Sequence, residues 1–182
     1  MEAHTAAGKL QGLAGDAVWY EAAFVVGITN AMNVVADSLD GVAALAPRDE
    51  VGAPSEVIAL FAEIRAFYER RDVPDVFRVL AHDPAYLRDF LQAVCRAFGD
   101  QRLTRRLKEA LAFAVSVTSR SRFGTAFHLG EMRRLGVTER GVLEVLGVTQ
   151  MFSSYTKIAD ALQLESDMRD IAPVDLSPAP GR

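Results

Sequence analysis

Leu107-Lys108-Glu109-Ala110-Leu111-Ala112-Phe113-Ala114-Val115 leads through a polar break, Thr118-Ser119-Arg120, into Ser121-Arg122-Phe123-Gly124-Thr125-Ala126-Phe127-His128. The apolar residues on both sides of the break recur at helical steps rather than alternating. So short a break folds the two helices back on each other as an antiparallel pair. Glu109 lies about ten residues before the turn and His128 about eight after it. At ~1.5 Å per residue both stand roughly 12–15 Å from the turn. A carboxylate and an imidazole are therefore expected to meet at one depth. Gly124 is one helical turn before His128 and shares its face. A glycine inside a helix costs about 1 kcal/mol relative to alanine. The expected gain is space beside the imidazole, for a water, a ligand or a neighbouring helix. Ser121 is about 10 Å along the axis from His128, too far for a direct Ser–His nucleophile.

Outward from this pair the chain reads as helices throughout. Apolar periodicity predicts a long helix over 17–39, buried nearly all round. Ser55 is the expected N-cap of a helix over 56–70. Pro74 opens a short one over 75–80. Asp83-Pro84, a cap followed by proline at the first helical position, starts 84–98. Helices over 103–118, 121–135 and 139–162 follow, the last bent near Gly147 or Ser153-Ser154. Gly136 is the expected C-cap glycine and Thr138 the expected cap of the last helix. No segment reads as a strand, so the fold class is all-α. The organisation expected is an N-terminal segment (1–45) with one long buried helix, a linker (46–54), a core domain (55–168) and a disordered tail (169–182). Trp19–Asp40 overlays Val142–Gln163 without gaps, matching Glu21/Glu144, Val25/Val148, Ala36/Ala159 and Asp37/Asp160. This is a weak internal repeat, which chance similarity of two buried helices would also produce.

Composition narrows the function. The chain has 182 residues, half of them hydrophobic, and a formal net charge of −4. That charge argues against a nucleic-acid partner. The single cysteine, Cys95, rules out an internal disulfide, a CxxC pair and a cysteine-rich zinc site. The three histidines are scattered at 4, 82 and 128, so no metal site or other cofactor is expected. The N-terminus lacks the basic region and apolar core of a signal peptide. Uninterrupted apolar runs are far short of a membrane span. A cytoplasmic protein without a membrane partner is the expectation.

Four further segments carry a family resemblance. Val73-Pro74-Asp75-Val76-Phe77-Arg78-Val79-Leu80-Ala81-His82-Asp83-Pro84 resembles a "VPNvFraLAhsP" lead-in. Leu103-Thr104-Arg105-Arg106-Leu107-Lys108-Glu109 resembles "LsrrlrE". His128 with Arg133-Arg134-Leu135-Gly136-Val137 resembles "H…arraGls". Lys157-Ile158-Ala159-Asp160-Ala161-Leu162 resembles "NRladaLG". In this order they resemble the carboxymuconolactone decarboxylase/alkylhydroperoxidase D-like superfamily, over roughly 56–165. The resemblance implies an AhpD-like helical bundle and a homo-oligomer.

The redox members of that superfamily carry E-x11-C-x2-C-x3-H. Here the frame reads Glu109, Ser121, Gly124, His128. Both thiols are missing, and the thiolate is the nucleophile of that chemistry. Peroxidase activity is therefore not expected. The acidic segment that the decarboxylase branch has before the histidine is also absent, replaced by Arg120-Ser121-Arg122. The candidate catalytic residues are Glu109 and His128 as an acid/base pair, with Ser121 beside them. Arg120 and Arg122, at a helix N-terminus that favours anions, are candidates for binding a small carboxylated substrate. Gly124, Thr125 and Tyr155 are candidates for lining its site. The alternative is a pseudoenzyme that binds a ligand or partner and in which the pair only fixes helix packing.

Overall fold

The computed structural model describes residues 16–39, 42 and 45–164. The expected tail over 169–182 lies outside them. Among the described residues there are seven helices and no strand: α1 (Asp16–Leu39), α2 (Ser55–Tyr68), α3 (Asp75–Leu80), α4 (Pro84–Phe98), α5 (Arg105–Ser119), α6 (Arg122–Arg134) and α7 (Glu139–Ala161).

Short polar side chains set most of the boundaries. Asp83, Thr104, Ser121 and Thr138 each sit just before a helix and accept from a backbone N–H three residues on. Each thereby satisfies one of the free donors of a first turn. Thr104 is why α5 begins at Arg105 rather than at Leu103. Ser55 is not a cap; Pro54 precedes the helix and Ser55 is its first residue. Arg120 closes α5 in the left-handed region, at φ 61°, and Gly136 takes φ 80° just past α6. α7 is continuous as a helix through Gly147 and Ser153-Ser154.

The main core lies where α2, α3 and α4 pack against α1, α5 and α6. Phe61, Ile64, Phe77, Leu87, Val94 and Phe98 are its buried centre. A smaller cluster, Phe113, Met132 and Val142, holds the start of α7.

Two expectations for α1 need correction. The helix is not buried all round: Val25, Ile28, Thr29, Met32 and Asn33 face inward, while Trp19, Tyr20 and Val34 are 51, 76 and 64 % exposed. The helix packs on α3, α4, α5 and α6. Its apolar length was also underestimated, since Ala17–Leu39 reaches a mean hydropathy of 1.4 and is long enough to cross a membrane. Its inner face is nevertheless committed to the bundle through two polar clamps. Near one end, Glu21 accepts from the backbone N–H groups of Leu103 at 2.9 Å and Arg102 at 3.1 Å. The same carboxylate is 3.4 Å from Lys108 Nζ, which is fully buried and donates to Gly99 O at 2.6 Å. Near the other end, Asn33 Nδ2 donates to Ser116 Oγ at 3.1 Å and to Ser119 Oγ at 3.2 Å.

The Glu21 clamp gives a pH signature. Burial pushes its carboxyl up, but the N–H groups of Leu103 and Arg102 and the Lys108 ammonium more than offset this, holding it below the ordinary 4.5. A carboxyl lowered in the fold stabilises above its unfolded value, and that stability is lost as pH falls through the folded value. Stability followed by circular dichroism is therefore expected to fall as pH drops below about 4.5. Glu21→Gln is expected to remove part of that dependence. Glu21→Ala leaves Lys108 buried without a counter-charge and is expected to cost about 3 kcal/mol at neutral pH.

Candidate functional site

α5 and α6 run antiparallel, and their facing sides bring Glu109 and His128 together. His128 Nδ1 donates to Glu109 Oε2 at 2.8 Å. Both side chains are 0 % exposed. The imidazole is fixed from two further directions. Phe98 of α4 stacks on it at 5.7 Å with 13° between the planes, and Phe127 meets it edge-on at 5.2 Å. Proton and ring orientation are thus set by packing as well as by the carboxylate. His128 Nε2 and Glu109 Oε1 are buried without hydrogen-bond partners.

The pair is one end of a longer buried ladder of alternating charge. Arg105, one turn before Glu109, places Nε 3.5 Å from Glu109 Oε1 and Nη2 3.6 Å from Glu131 Oε2. Its Nη1 donates to Phe67 O at 2.7 Å, and the guanidinium lies over the Phe67 ring at 4.2 Å. Arg134 reaches Glu131 Oε2 at 2.9 Å and Glu69 Oε2 at 2.7 Å. Tyr68, also buried, faces this ladder. Burial pushes its phenol well above 10, Glu109 adds to the rise, and Arg105 works against it; the hydroxyl stays neutral. Arg105, Glu131 and Arg134 were not singled out from the sequence. Their signal was present in the helical spacing, since Arg105/Glu109, His128/Glu131 and Glu131/Arg134 are three or four residues apart.

The remaining candidates are dispersed. Ser121, 2 % exposed, has its Oγ accepting from Gly124 N at 3.0 Å, so it caps α6. The space expected beside Gly124 is occupied. A Cβ there would overlap Asn33 Oδ1 of α1 and stand 2.5 Å from Ser116 Oγ. Of the uses foreseen for the glycine, the neighbouring helix is the one realised. Thr125 is half-buried on α6. Tyr155 is 60 % exposed on α7, away from any hydrogen bond to the pair. Arg120 and Arg122 are exposed and line an open cavity of about 800 Å³ between the end of α1, α3 and the start of α6. Neither Glu109 nor His128 is among its lining residues. Among the described residues, no group of three or more His, Cys, Asp or Glu side chains is arranged to hold a metal. Cys95 is half-buried on α4, where burial raises its thiol above the ordinary value, with Arg105 opposing and Glu63 adding to the rise.

Comparison with known proteins agrees with this architecture. Residues 84–165 match the family model described as the carboxymuconolactone decarboxylase family. The crystal structure of an alkylhydroperoxidase AhpD core from Rhodospirillum rubrum is similar, with a TM-score of 0.66 and 27 % identity. The match covers 70 % of this chain and 96 % of that one. Among curated proteins no sequence matches.

The contact at Gly124 is open to a direct test. Gly124→Ala is expected to cost about 1–3 kcal/mol by overpacking against Asn33 and Ser116. Combining it with Asn33→Ala should reduce that increment by more than half. Urea denaturation of both singles and the double variant measures the coupling.

Proposed function

Because the chain is similar to the carboxymuconolactone decarboxylase family and to an AhpD core yet carries no thiol at 121 or 124, we propose that it binds a small anionic ligand without thiol chemistry. In this reading the Glu109–His128 pair holds the hairpin together and Arg120 and Arg122 meet the ligand. One contrast carries the reading. The pair is sealed at 0 % exposure, whereas both arginines line an open cavity. A buried hydrogen-bonded pair at a helix–helix contact is strongly felt when one partner is removed, because the other is left uncompensated.

A second reading, acid/base catalysis by Glu109 and His128, draws support from the free Nε2 of His128. A ring nitrogen buried without a partner is a costly arrangement for a purely structural residue. Catalysis would require α1, which closes the Gly124 side through Asn33, to yield access. The two readings part on Glu109→Gln. If the pair is structural, small-carboxylate binding measured by calorimetry stays within about twofold of the parent, while stability drops by about 3 kcal/mol. Arg120→Gly with Arg122→Ala should weaken the same binding at least tenfold. Turnover of any carboxylate that Glu109→Gln abolishes would overturn the structural reading.

We further propose that the chain forms a homo-oligomer through α7. Val142 alone is fully buried in this helix, while Val148, Met151, Phe152, Tyr155 and Ile158 are all at least half exposed. In the repeat, Val148, Met151 and Tyr155 stand where α1 has Val25, Ile28 and Met32, the residues that dock α1 onto the bundle. A second copy supplies an equivalent surface for the unsatisfied face. Sedimentation velocity should show an oligomer, and Met151→Asp with Tyr155→Lys should yield a monomer that keeps its helical content. A monomeric parent protein would refute it.

A further inference from the structure

The cavity that Arg120 and Arg122 line has walls of a distinct chemistry. Val35, Ala36 and Leu39 from the last turns of α1 form one side, and Val76 and Val79 of α3 face them. Phe123 stands at the α6 end, its ring held against Phe127 at 5.5 Å with 14° between the planes. At about 800 Å³ the space falls in the range of about 300–1,000 Å³ typical of small-molecule sites.

Among the described residues that line it, the charged ones are Asp37, Asp75, Arg120 and Arg122. Asp75 is already engaged, with Arg78 Nη1 at 2.9 Å. Arg120 and Arg122 have no carboxylate partner among the described residues, and Asp37 opposes them with one negative charge. The cavity lining is therefore formally neutral, and it offers two arginine side chains as donors beside apolar walls. A compact polyanion would leave those walls wet and would face Asp37. An alkyl chain removes the walls from water, which is the main favourable term for apolar burial.

We propose that this cavity is a binding site for an amphipathic monocarboxylate, with its alkyl chain between α1 and α3 and its carboxylate at Arg120 and Arg122. The proposal rests on the reading of those arginines as the anion-binding residues and adds the class of molecule they take. Arginine suits the role because its planar fork of donors matches a carboxylate.

The test is a chain-length series of unbranched carboxylates, butanoate, octanoate and dodecanoate, titrated into the full chain at neutral pH by calorimetry. Dodecylammonium and citrate serve as counter-probes. The expected result is one site per chain and binding that tightens about fourfold per methylene until the cavity is filled. Val79→Phe, which narrows the apolar end, should flatten that dependence. Arg122→Ala, at an exposed position, should weaken every carboxylate about tenfold while its melting temperature stays within a few degrees of the parent. If citrate and butanoate bind as tightly as dodecanoate, the amphipathic ligand is overturned and the anion-binding reading of the arginines stands. If no carboxylate binds, or dodecylammonium binds as well as dodecanoate, both are overturned.

Discussion

The hydrogen bond from His128 to Glu109 is the contact around which the bundle is arranged. It joins two helices whose facing sides would otherwise bury isolated charges. A carboxylate cannot be left alone in an apolar interior, since its desolvation costs several kcal/mol. Arg105 therefore follows Glu109 inward, Glu131 follows Arg105, and Arg134 follows Glu131 to the surface at Glu69. The aromatic residues Phe67, Tyr68, Phe98 and Phe127 wall this ladder off from water. Removing one member disturbs the partners of all the others, so the ladder behaves as a unit rather than as a set of separate pairs.

This constraint also explains the role of α1. A hairpin with a polar ladder on one side needs its other side covered, and α1 supplies the cover. It brings Glu21 to the buried Lys108 and Asn33 to the small residues Ser116 and Gly124. The glycine permits close approach of a helix rather than entry of a ligand. Where a side chain at position 124 would stand, this chain has the amide of Asn33 from another helix. Closure of that space and the opening of the cavity at Arg120 and Arg122 are two sides of one arrangement, because the end of α1 forms a wall of the cavity.

Much of the fold was legible from local chemistry. Capping residues and prolines act within a single turn, so Asp83-Pro84, Thr138 and Gly136 marked their boundaries correctly. The Glu109–His128 meeting followed from helical rise and a short turn alone. Three things were not legible. Asn33 lies 83 residues from its partner Ser116, and no periodicity links them. The exposed faces of α1 and α7 read as buried because periodicity reports apolar character, not what covers it. The separation of Arg120 and Arg122 from the Glu–His pair depends on the turn between α5 and α6, where Arg120 closes one helix and Arg122 begins the next, and on the end of α1 beside them.

What the sequence by itself determined is the all-α class, most helix limits, the Glu109–His128 contact and the absence of a cysteine at 121 and 124. Each of these is a local property, or depends on rise per residue and the chemistry of one side chain. Only the tertiary structure decided that the pair is sealed, that Asn33 fills the place beside Gly124, and that the open cavity belongs to the arginines. Those outcomes depend on how helices distant in sequence pack together, and packing is settled by the fit of whole faces rather than by any one residue's preference.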